Sequence, residues 1–207
     1  MGFSISWLAV SGKEKEIVLK ELGLSSTGER EELPESPVVS AELPNGWFLV
    51  FANRADSKLV ANETLRALSS NCVVVACQVE EHIMVSSATC YTNEVNTWRV
   101  THDAEQGIFH LEASGDLPSE FKPISDSLKA QQQEADGVDY IHDIPITLAQ
   151  HITSFRHDED ISGASEQPFE VLTYSRKAPT APSVAQPSPP TAQPKAAPPA
   201  KPWWKIW

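Results

Sequence analysis

Residues 72–79, Cys-Val-Val-Val-Ala-Cys-Gln-Val, carry seven apolar side chains and no glycine or proline. Valine favours extended backbone, and a strand sends successive side chains to opposite faces. A run without alternation therefore reads as a strand buried on both faces, the expected middle of a sheet. Its neighbours alternate instead. Phe3, Ile5 and Trp7 stand against Ser4 and Ser6, the period of a half-buried strand over residues 3–10. Val38 to Leu43 and Trp47 to Phe51 flank Pro44-Asn45-Gly46, and Asn-Gly supplies the positive φ angles of a hairpin.

After residue 79, strands are expected in meander order over 83–91, 97–101 and 108–111, and a last edge strand over 168–174, where the leading Pro168 is tolerated. Four helices fit the remaining apolar spacing. The first follows Ser11-Gly12-Lys13-Glu14, which has the form of a capping box, and ends at Gly23. The second spans 57–68 with Asp56 or Ser57 as cap, the third carries Phe121, Ile124 and Leu128, and the fourth opens at Ile144-Pro145. Residues 25–36 are polar and acidic with breakers, so a loop is expected there. The fold class is α+β: a mostly antiparallel sheet of six or seven strands with about four helices over one face.

Charge divides the chain. Of 16 basic residues five lie at 176 or beyond, and all 28 acidic residues lie before, so residues 1–175 carry a net −17 and the rest +5. The expected organisation is an acidic α+β domain (1–175), a disordered Pro/Ala-rich basic arm (176–202) and a Trp-rich docking motif (203–207). In polyproline II geometry two dozen arm residues reach roughly 75 Å. Lys201, Trp203, Trp204, Lys205, Ile206 and Trp207 hold three of the six tryptophans, and such a cluster is costly to leave in water. Docking in a protein groove or weak contact with an anionic membrane surface are the two readings.

The acidic balance excludes a general nucleic-acid binder, which needs lysine and arginine to neutralise phosphates. Cys72, Cys77 and Cys90 form an odd set behind no basic-then-apolar leader, so a reducing, cytoplasmic setting is expected. No run of about 20 apolar residues is present. Phosphate-loop, dinucleotide, Cys-x-x-Cys and calcium-loop patterns are missing, and no cofactor is expected.

Four histidines stand beside carboxylates: His82 after Glu81, His102 with Asp103, His142 with Asp143, and His157 with Asp158. Imidazole and carboxylate together bind divalent ions or relay protons, which makes these the metal or acid–base candidates. Their spacing fits no ligand signature, and solvated surface pairs are the plainer reading. Ser86 and Ser87 fall in a strand, away from any nucleophile elbow, and Cys72 and Cys77 are expected to pack as small hydrophobes. The acidic segments 29–35 and 157–160 read as solvated loops, or as part of an interface for a basic partner. The expectation for function is a non-catalytic binding protein of adaptor, inhibitor or immunity type. A metal-dependent enzyme using the His/acid pairs and a peripheral membrane protein held by its tail are the alternatives.

Overall fold

The computed structural model describes residues 2–134 and 137–175. The alternating side chains of three strands explain its layering. Along β1 (Ser4–Ser11), Ile5, Trp7 and Ala9 enter one core while Leu8 and Val10 enter another. The same split sends Leu49 and Phe51 of β4 (Phe48–Ala52) one way and Phe48 and Val50 the other. In β5 (Val73–Glu80), Val75, Cys77 and Val79 oppose Val74 and Ala76. Both faces are thus buried at the centre, and each fully buried aliphatic or aromatic side chain contributes about 1.5–3 kcal/mol.

Two helices cover each face, not four over one. The first core is closed by α3 (Phe121–Glu134) and α4 (Asp143–Thr153) through Ile124, Ile144 and Leu148. The second is closed by α1 (Lys15–Leu22), α2 (Asn62–Leu68) and a 3-10 turn at Lys58–Val60, through Val18, Leu65, Leu68 and Leu59. A sheet apolar on both sides requires cover on both, so the uninterrupted valines of β5 already contradicted one-sided packing. Among the described residues no helix is long and apolar enough to cross a membrane.

The remaining strands are β2 (Leu24–Glu31), β3 (Val38–Glu42), β6 (Val85–Thr92), β7 (Val95–Asp103), β8 (Glu112–Gly115) and β9 (Phe169–Tyr174). The nine strands among the described residues form one antiparallel sheet in the order β2-β9-β3-β4-β1-β5-β6-β7-β8. The α+β class, the β3–β4 hairpin and the meander β5 to β8 match expectation; the strand count exceeds it.

Five local expectations are corrected. Residues 25–31 are edge strand β2 instead of loop; its side chains are solvated on both faces, so it carries no apolar period. It is held to β9 by a Ser26 hydroxyl donating to Glu170, by Thr27 Oγ1 donating to the Val171 carbonyl at 3.0 Å, and by Arg30 bonding the Gln167 and Pro168 carbonyls. For the same reason β9 lies inside the sheet, and Pro168 is tolerated because it precedes the ladder. The capping box does not form: Ser11 pairs with Val73 in β1, and Glu14 begins α1 without a side-chain cap bond. The eighth strand falls at 112–115, leaving Ile108 and Phe109 exposed in the preceding turn. The segment 57–68 is a Ser57-capped 3-10 turn and a separate short helix.

The arm 176–202 and the terminal residues Lys201, Trp203, Trp204, Lys205, Ile206 and Trp207 lie outside the described residues.

Candidate functional site

Adjacent residues on a strand point to opposite faces, and His102 and Asp103 come apart for that reason. His102, on β7, is fully buried, whereas Asp103 turns outward to accept from the Glu105 amide (3.0 Å) and Gln106 Nε2 (2.8 Å). The Gln106 hydrogen bond holds the Asp103 carboxyl below its usual range. Asp143 and Asp158 both turn to Arg156, at 3.0 and 2.7 Å. His82 sits exposed in the β5–β6 turn, bonded through Nδ1 to Glu80 at 2.7 Å.

The carboxylate that does meet a buried histidine is Asp139, which has no histidine beside it in sequence. Its Oδ2 lies 2.9 Å from His102 Nε2, and its Oδ1 accepts the His142 amide at 3.0 Å. His102 Nδ1 is 2.7 Å from the His110 carbonyl, an acceptor only, so this nitrogen carries a proton. His142 is buried edge-to-face against His102 with ring centroids 6.1 Å apart, and its carbonyl accepts from Ser86 Oγ at 2.6 Å. Burial, opposed by Asp143 and Asp139, lowers the His142 pKa. The His142 Nε2 is enclosed without a hydrogen-bond partner. His110, on the segment before β8, accepts the Asp103 amide at Nδ1 (2.9 Å) and stands between Phe109 and Leu111, with no adjacent carboxylate to mark it in the sequence.

The structure therefore gathers His102 and His142 with Asp139 and His110, and leaves His82 and His157 apart from that hydrogen-bonded cluster. Among the described residues no three His, Cys, Asp or Glu side chains converge in an arrangement able to hold a metal ion. The nucleophile candidates are tied down as well. Burial pushes the Cys77 thiol up to about 12 and raises those of Cys72 and Cys90, and Ser87 Oγ donates to Gln78 at 3.3 Å.

A different concavity collects the two acidic segments. Glu32 and Glu35, from the link between β2 and β3, meet Asp158, Glu159, Asp160 and Glu166, from the link between α4 and β9, around a cavity of about 550 Å³. Its floor is apolar: Ile5, Phe51, Phe155 and Phe169 are all buried members of the first core. Among the described residues no lysine or arginine lines it. Arg156, behind the rim, neutralises Asp158 at 2.7 Å and stands 3.9 Å from Glu159, which also accepts from Gln150 at 2.8 Å. Glu32, Glu35, Asp160 and Glu166 make no ion pair among the described residues.

His157 belongs to this cavity. Its side chain is 2% exposed, its ring meets Phe3 edge-on at 4.8 Å, and neither ring nitrogen has a hydrogen-bond partner. The 3.9 Å separation from Asp158 is too long for a hydrogen bond. Burial lowers its pKa more than Asp158 raises it, so the ring is neutral at neutral pH. The cavity is thus an aromatic well with an anionic mouth, suited to hold a cationic group with apolar body. Against known proteins, the chain matches no family model, no curated sequence and no solved structure.

Proposed function

We propose that this chain is a non-catalytic, cytoplasmic protein-binding molecule whose acidic domain engages a basic protein partner. The observation that carries this reading is the convergence of two acidic segments, distant in sequence, on one apolar cavity that no lysine or arginine among the described residues lines. Glu32, Glu35, Asp160 and Glu166, gathered without ion-pair partners among the described residues, repel one another, and a basic partner relieves that cost while steering association. An inhibitor or immunity-type protein that neutralises a basic target has this chemistry. The C-terminal Lys201, Trp203, Trp204, Lys205, Ile206 and Trp207 supply a second docking element, with the proline-rich arm raising its effective concentration.

Pull-downs test both parts. Neutralising Glu32, Glu35, Asp160 and Glu166 together (Glu→Gln, Asp→Asn) is expected to release basic partners held by the full chain; retention of every partner refutes the domain reading. Truncation after Arg176 is expected to lose a distinct partner set. Unchanged partners and unchanged sedimentation with anionic vesicles remove the tail's docking role, and loss confined to vesicles assigns the tail to membranes.

A further inference from the structure

The cavity selects more narrowly than by charge. An apolar well alone calls for an apolar side chain, and surface carboxylates alone call for solvent. Together they fit a group with a long apolar stem and a cationic head. We propose that the cavity floored by Phe51, Phe155 and Phe169 receives an arginine side chain presented by an apolar segment of a protein partner, a reading that rests on the binding function above.

Three features favour arginine. The phenylalanine floor is apolar and Phe3 at the wall is 42% exposed, so the space suits the apolar stem and weakly hydrated guanidinium of arginine better than a strongly hydrated ammonium. The unpaired carboxylates Glu32, Glu35, Asp160 and Glu166 provide several acceptors, which match the five N–H donors of a guanidinium better than the three of an ammonium. His157 lines the same space with a buried side chain and two unpartnered ring nitrogens, so the wall holds an unsatisfied polar group and no competing cation. The volume, about 550 Å³, lies within the range of ligand pockets and exceeds one arginine. A flanking apolar side chain of the partner, packed against the exposed Leu33 and Phe3, fills the remainder.

The test uses the full chain and fluorescein-labelled Gly-Leu-Arg-Trp-Gly peptides in which the central residue is arginine, lysine or citrulline, read by fluorescence polarisation at physiological salt. Citrulline keeps the shape and removes the charge. The arginine peptide is expected to bind at least about tenfold more tightly than the citrulline peptide, with lysine between. Glu35→Gln with Asp160→Asn should erase that preference. Glu16→Gln with Glu63→Gln, an equal charge change on exposed residues of the helices over the other face, should stay within about threefold, because distant surface charges are screened. All four substitutions are at exposed positions, and circular dichroism checks that each variant is folded.

Equal binding of arginine and citrulline peptides, equal loss in the distal variant, or spermidine binding as tightly as the arginine peptide overturns the proposal. If the arginine preference fails while the four-carboxylate variant still loses basic partners, the protein-binding reading stands and only the arginine is removed. If that variant keeps its partners too, both fall.

Discussion

Replacing Asp139 separates the stabilisation that comes from hydrogen bonding in the buried histidine cluster from what requires a charge there. The Asp139 side chain is 7% exposed and His102 is fully buried, so water cannot replace a lost partner. Asp139→Ala removes the acceptor 2.9 Å from His102 Nε2 and the acceptor 3.0 Å from the His142 amide. Breaking one side of a buried pair costs about 3–5 kcal/mol, and an orphaned buried amide costs about 1–3 kcal/mol, effects that overlap; about 4 kcal/mol is expected. That is a large part of a domain's usual stability of about 5–15 kcal/mol. Asp139→Asn should behave differently. Its carboxamide oxygen can accept from the His142 amide while its NH₂ donates to His102 Nε2, because the ring proton already required on Nδ1 by the His110 carbonyl leaves Nε2 free to accept. The cost then falls to about 1 kcal/mol. Urea unfolding of the full chain at neutral pH, followed by tryptophan fluorescence and circular dichroism, measures both. Imidazole ¹⁵N spectra of the Asn variant should place the His102 proton on Nδ1. An alanine variant within about 1 kcal/mol of wild type, or an asparagine variant as damaged as the alanine one, refutes the reasoning.

Gly115→Ala should destabilise the chain by about 2 kcal/mol or more, since φ is +83° and the new Cβ would stand 2.1 Å from the Thr97 carbonyl oxygen, prising β8 from β7; thermal unfolding measures it. Acid should weaken the fold through His142 and His157, whose pKa values burial holds below the ordinary 6.5. In the window between the ordinary and depressed values the unfolded chain binds protons that the folded chain does not, so stability is complete above about pH 6.5 and falls as pH drops through that window. His157→Leu should flatten this acid limb in urea midpoints, and an unaltered limb would show that His157 takes no part. Cys72, Cys77 and Cys90 are all buried with raised pKa values, so Ellman's reagent should find no fast-reacting thiol in the folded chain and three in urea.

What sequence alone could determine here is what depends on neighbours within a turn or two. The doubly buried strand at 73–80, the Asn-Gly hairpin, the meander that follows, and α4 with Pro145 in its first turn were all legible because period and turn chemistry are local. The acidic segments were visible too, but as separate stretches. Tertiary structure decided the rest. Edge strand β2 has no apolar face to betray it, and its place beside β9 comes from pairing residues 138 to 150 positions apart. His102 and its sequence neighbour Asp103 were sent to opposite sides by strand geometry, while Asp139 reached His102 across 37 residues. Glu32 and Glu35 likewise meet Asp160 and Glu166 only because the sheet inserts β9 between β2 and β3, which brings the links before and after those strands to one cavity. Side-chain chemistry is written in the residues, but which side chains share a site is set by long-range pairing, and local spacing carries no record of it.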